Sequence, residues 1–176
     1  MKRHHLLIIL LVLVIALVGC GRKSDNINDD TSNDSLVNDR YPSFVVETVS
    51  AGEGEKDVVV HVSIENNPGF LTMAMNVAYD SEYLTLTKVL NGTDYSEYNF
   101  IGPRNTKSGC TASWFLPEIP ENIVDGNILE LHFDINEYAP KGVYSIEVTR
   151  PVNGGVVDQN KQAIIFNNAI GYIKIE

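Results

Sequence analysis

Asn66–Asp80 reads N-N-P-G-F-L-T-M-A-M-N-V-A-Y-D. Asn66-Asn67-Pro68-Gly69 is a turn cluster, because Pro restricts φ and Gly admits positive φ. The residues after it alternate. Leu71, Met73, Met75, Val77 and Tyr79 share one parity and are apolar. Thr72, Ala74, Asn76 and Ala78 share the other and are small or polar. A period of two is a strand with one buried face. The second face carries no long charged side chain, so it is either a solvated surface or a flat surface on which something docks.

The same pattern recurs on both sides of this stretch. Phe44–Ala51 is β-branched and strand-like. Asp57–Glu65 alternates, with Val58, Val60, Val62 and Ile64 inward. Leu84–Leu90 and Tyr98–Ile101 are further strands, and Gly102–Gly109 reads as a polar loop. Thr111–Leu116 places Ala112, Trp114 and Leu116 inward and Thr111, Ser113 and Phe115 outward. Pro117–Asp125 holds two prolines and is too short and broken for a helix. Asn127–Ile135, Val143–Thr149 and Gly171–Ile175 complete the set, with Ile164–Phe166 as a fragment. Turn signals separate short strands throughout, and no segment has helical periodicity. The fold class is an all-β sandwich.

The chain of 176 residues has a net charge of −10. That balance argues against nucleic acid, whose phosphates require clustered Lys and Arg. The first residues are of another kind. Lys2, Arg3, His4 and His5 precede an apolar run from Leu6 to Val18. The run is too short for a usual span of about 20 residues and suits a signal segment. It ends in Leu17-Val18-Gly19-Cys20, which resembles the bacterial lipobox. The resemblance implies cleavage after Gly19 and a lipid on Cys20; an uncleaved anchor is the alternative. Either way the remainder is expected outside the cytoplasm, tethered to a membrane. Residues 1–19 are read as a lipoprotein signal peptide. Residues 20–42, rich in Asp, Asn and Ser, are read as a disordered tether. Residues 43–176 are one domain. With Cys20 lipidated, Cys110 is expected as an unpaired, half-buried thiol.

No catalytic motif is present: no G-x-S-x-G, H-E-x-x-H, C-x-x-C, phosphate loop or EF-hand loop. His61 and His132 take outward parity on strands that could be neighbours. Two ligands fall short of a protein metal site, so both are expected as solvated surface histidines. The carboxylates between Glu118 and Glu137 are expected as a solvated acidic rim. No enzyme activity, metal or cofactor is assigned.

Several stretches stand in a telling order: V-S-A-G-E-G-E (49–55); V-V-V-H-V-S-I-E-N-N-P-G-F (58–70); M-N-V-A-Y-D (75–80) with L-T-L-T-K-V-L-N-G (84–92); A-S-W-F (112–115); D-G-N-I-L-E-L-H-F-D-I (125–135); and A-P-K-G-V-Y-S-I-E-V (139–148), ending in N-A-I-G-Y-I-K-I. Together they resemble the cohesin domain of cellulosome-type assemblies, over Ser43 to Glu176. The resemblance implies a nine-stranded jelly-roll β-sandwich. It implies a non-catalytic partner-binding module whose partner is a dockerin, a small module that carries its own calcium on an enzyme or scaffold protein. The implied docking sheet matches Leu71–Tyr79, Tyr98–Ile101, Thr111–Leu116 and Val143–Thr149. Its outward residues here are Thr72, Ala74, Asn76, Ser113 and Phe115, with Glu118 just beyond. One subgroup tends to carry a hydrogen-bonding Asn and Asp at the positions of Thr72 and Ala74, and Ala74 cannot supply such a bond. The expected protein is thus a lipid-anchored receptor on the outer face of the bacterial membrane. A carbohydrate-binding module is the second reading, with a polysaccharide as a further candidate partner.

Overall fold

A computed structural model describes residues 41–106, 108–151 and 155–176. The signal segment, Cys20 and nearly all of the tether lie outside the described residues. The strands are β1 (Ser43–Val46), β2 (Val49–Ala51), β3 (Val58–Glu65), β4 (Thr72–Tyr79), β5 (Leu84–Asn91) and β6 (Asn99–Thr106). They continue as β7 (Gly109–Phe115), β8 (Gly126–Ile135), β9 (Gly142–Thr149), β10 (Val156–Val157) and β11 (Ala169–Ile175). A 3-10 turn covers Thr93–Tyr95. One sheet has the order β1-β3-β8-β5. The other runs β2-β11-β9-β4-β7-β6, with β10 paired to the first residues of β4.

The two sheets enclose the core that the alternation predicts. Val58, Val60, Val62 and Ile64 of β3 meet Met73, Met75 and Val77 of β4 in one buried cluster. Leu129, Leu131, Phe133 and Ile135 of β8 and Ile146 and Val148 of β9 complete it, with Trp114 fully buried. Each such side chain contributes roughly 1.5–3 kcal/mol when removed from water. The Trp114 indole N–H is also satisfied, donating to Asn91 Oδ1 at 2.7 Å, while Asn91 Nδ2 donates to Tyr95 O at 2.8 Å.

All nine strands read from the sequence are present, and the described residues contain eleven because of two local events. Phe44–Ala51, read as one strand, is two. β1 pairs with β3 in one sheet, and β2 pairs in parallel with β11 in the other. The ladder to β3 ends where Glu47 N–H donates to His61 O at 2.9 Å. Gly171 makes the crossing possible, since a Cβ there would collide with Glu47 O and the Val46 side chain. The second event is β10, two residues long, which carries too little periodicity to be read. The predicted polar loop at Gly102–Gly109 is also corrected: β6 runs on to Thr106 past a register shift between Ile101 and Arg104. A bulge hides a strand from a period-two reading because it breaks the parity. Ile164–Phe166 is not a strand, although Phe166 is buried and stacks on Phe44 at 5.0 Å.

The opening turn does more than reverse the chain. Asp125 accepts from the backbone N–H of Asn66 (3.0 Å) and Asn67 (2.8 Å), one on each carboxylate oxygen. Asn67 Nδ2 donates to Tyr95 Oη and Val124 O, and Tyr95 Oη donates to Val124 O. Gly69 has φ of 82° and lies under Ile119 and Ile123. The turn therefore pins the Pro117–Asp125 loop beside the start of β4.

Candidate partner-binding face

The four strands of the implied docking sheet lie side by side, in the order β9-β4-β7-β6. Register decides what their outer face presents. Thr72 pairs with Phe115, Ala74 with Ser113 and Asn76 with Thr111. Cross-strand partners share a face, so five of the six residues expected from the sequence to meet a partner form one contiguous surface. Glu118 does not join that ladder; it is exposed in the loop that follows β7. Met73, Trp114, Met75 and Ala112 occupy the opposite parity and are buried.

Local bonds tie the strands of this surface together. Thr111 Oγ1 donates to Asn76 Oδ1 at 2.8 Å across β4 and β7. Asn99 Nδ2 donates to Phe115 O at 3.3 Å. Phe115 is 44% exposed, so the outward parity holds and the aromatic is not core. Ile101, opposite Ser113 on β6, is 58% exposed and belongs to the face, although the sequence reading leaves it out. A signal for it exists: Phe100 pairs with Trp114 inward, which sends its neighbour outward. Reading Tyr98–Ile101 as a short fragment with no assigned parity hides that signal.

Charge enters this face toward one end. Arg104 pairs with Thr111, Glu147 pairs with Ala78, and Asp80 follows β4. Beneath the face, Cys110 is buried, not half-buried, and burial pushes its thiol up to about 11. A neutral thiol in the core is a packing group and not a nucleophile. Among the described residues, no three His, Cys, Asp or Glu side chains come together as metal ligands.

The two histidines are on the other sheet, on neighbouring strands β3 and β8. His61 is exposed enough to pair with Glu47 at 2.7 Å, and that hydrogen bond holds the Glu47 carboxyl below its usual value. His132 departs from the expectation of a solvated residue: it is 7% exposed, with Nδ1 at 2.7 Å from Asp57 Oδ1. Its outward parity is correct, but the surface around it is covered.

The model of the cohesin domain family matches residues 42–170. The chain belongs to the cohesin domain family. As a cohesin it superposes on CaCohA2 in its complex with a variant of CaDoc0917, at 27% identity and a TM-score of 0.65, covering 77% of this chain and 99% of that one. CaCohA2 comes from Clostridium acetobutylicum. A cohesin in the Coh-OlpA-Doc918 complex, a type I cohesin-dockerin complex from Clostridium thermocellum, gives 17% identity and a TM-score of 0.66 over 78% of this chain and all of that one. A non-cellulosomal cohesin from the archaeon Archaeoglobus fulgidus gives 16% and 0.65, over 78% and 92%. The last two likenesses speak for the fold alone. No curated protein matches the chain.

Proposed function

We propose that this cohesin is a non-catalytic docking receptor that binds a dockerin-bearing protein and holds it at the outer surface of the membrane through a lipid on Cys20. Cohesin domains bind dockerins in cellulosome-type complexes, and CaCohA2, the 27% identical relative, is seen with a dockerin partner. The observation that carries the reading for this chain is the uncharged ladder Thr72/Phe115, Ala74/Ser113 and Asn76/Thr111. A partner helix laid on that ladder buries no Lys or Glu of the receptor, whose desolvation would oppose binding. Phe115 and Ile101 stand proud of the small residues and supply the apolar anchors. Thr111 Oγ1 donates to Asn76 Oδ1, which leaves the Asn76 amide N–H groups to donate to a partner at the centre of the face. Any calcium in the complex belongs to the dockerin. The lipobox-like Leu17-Val18-Gly19-Cys20 supports the surface location.

The test is capture of purified dockerin modules by the immobilised full chain in the presence of calcium. Retention of at least one dockerin, lost in Ala74→Arg, is the expected result. Failure to retain any member of a broad panel would remove the dockerin as partner.

A further inference from the structure

The outer face of the larger sheet does not end at β9. β11 runs antiparallel beside it, and the register sets Ile170 opposite Glu147, Tyr172 opposite Ser145 and Lys174 opposite Val143. Glu147 in turn pairs with Ala78, and cross-strand partners share a face. Ile170, Tyr172 and Val143 therefore stand on the same side of the sheet as the Thr72–Phe115 ladder. Burial agrees: Ile173 and Ile175 are core, whereas Ile170 is 54% and Val143 60% exposed. Between this apolar flank and β4 lies a depression of about 260 Å³, bordered by Ala78, Asp80, Ser145 and Glu147. Among the described residues, neither Asp80 nor Glu147 takes part in an ion pair.

We propose that this flank is a second anchor for the docking partner, taking an apolar side chain and a neighbouring Lys or Arg from the far end of the helix that meets Phe115. Resting on the docking function proposed above, the anchor adds β11, a strand outside the implied docking sheet. Phe115 and Ile170 are three strand spacings apart across the sheet, about 14 Å, and six residues apart along it, about 20 Å. The diagonal of about 24 Å matches a helix of roughly 16 residues. Ser113, Ala74, Asn76 and Thr149 lie on that diagonal, and none carries a charge that an overlying helix would desolvate. At its end, Ile170 and the Tyr172 ring supply apolar area. The stem of a Lys or Arg lies along them while its head reaches Glu147 and Asp80 in the depression. Lys174 does not neutralise those acids, since it stands four residues along β11 from Ile170, about 13 Å at strand rise. A second copy of the chain fits less well: each copy carries the same acids and a net charge of −10, so like charges would meet.

Calorimetric titration of the detergent-solubilised full chain with purified, calcium-loaded dockerin modules tests this. Ile170→Thr and Tyr172→Thr keep strand-forming residues on β11 and should each weaken binding about tenfold, the scale of one lost anchor. Glu147→Gln should weaken binding and flatten its dependence on salt, because the charge-assisted contact is gone. Leu90→Thr, which alters an exposed apolar side chain on the other sheet, should be silent. Wild-type affinity in both β11 variants, with Phe115→Ala still damaging, overturns the second anchor and leaves the docking function standing. An equal loss in Leu90→Thr overturns it as well, and so does an unchanged salt dependence in Glu147→Gln. Substitutions that spare dockerin binding and instead break up a dimer in sedimentation make the flank a contact between copies, and the proposal fails. Retention of no dockerin by the unsubstituted chain removes the docking function, and the anchor with it.

Discussion

Thr72 and Phe115 face each other across the β4–β7 ladder, and one row on, Ala74 faces Ser113. An exposed aromatic thus stands beside small side chains of the same face. That is the shape of a shallow seat with one wall, and it sets the first prediction.

Phe115→Ala is expected to weaken dockerin binding by about 2 kcal/mol, roughly thirtyfold, as for a hot-spot aromatic. Ala74→Arg should weaken it more, because the new cation enters the contact unpaired. Neither should shift the melting temperature much, since both side chains point away from the core. His61→Ala, on the other sheet, should be silent in binding. Calorimetric titration of the three variants reads the pattern. A silent Ala74→Arg together with a damaging His61→Ala would assign docking to the wrong sheet.

Asn91→Ala should destabilise the domain by about 2 kcal/mol, because it orphans the buried Trp114 indole N–H and removes one of the two bonds to the Tyr95 carbonyl, which still accepts from Tyr98 N–H. Denaturant unfolding followed by Trp114 fluorescence measures it. A loss below about 0.5 kcal/mol would mean that water replaces both bonds at no cost.

Alkaline pH should destabilise the fold through its buried acids. The Cys110 thiol is raised from 9.0 to about 11, and burial also raises Tyr95. A raised pKa contributes stability that is fully present below the unfolded value and lost as pH climbs through the folded one. The window for Cys110 is therefore pH 9 to 11, with a share on the order of 2 kcal/mol. Cys110→Ala should start less stable, from the lost packing, yet lose less between those pH values. Parallel slopes for the two proteins would show that Cys110 is not the titrating group.

A chelator should leave the melting curve of the isolated cohesin unchanged and abolish dockerin binding, because the proposed function puts the ion in the partner's loops. Scanning calorimetry with and without EDTA, beside a binding titration, separates the two effects. A large drop in the melting temperature would place a structural ion in the cohesin itself.

Cys20→Ser should release the protein from the membrane fraction or leave it unprocessed. Fractionation and intact mass read the result. A variant that remains membrane-bound at the mature mass would show that something other than lipid on Cys20 retains it.

The outward residues of the β4–β7 ladder show where reading parity from a sequence succeeds. Parity alone places Phe115 outward, and its 44% exposure agrees. Parity works in β7 because Gly109–Phe115 pairs with β4 without a shift. It fails one strand away. In β6 the shift between Ile101 and Arg104 cuts the strand short in the reading and leaves Ile101 out of the face. His132 fails differently: its parity is right, but nothing local states that Asp57 closes over it.

The chain by itself determined the all-β class, the inward sets of β3, β4 and β7 and the positions of the main turns. These depend on local terms: alternation of apolar residues, β-branching, and the backbone demands of Pro and Gly. Tertiary structure alone decided which strands became neighbours, and it divided Phe44–Ala51 between two sheets at Glu47. It also brought the Tyr83 and Tyr144 rings together, with centroids 5.2 Å apart. Such pairings rest on contacts between residues far apart in sequence, whose free energy exists only once both partners are in place. No window of the sequence contains both partners, so the composition of neither predicts the pair.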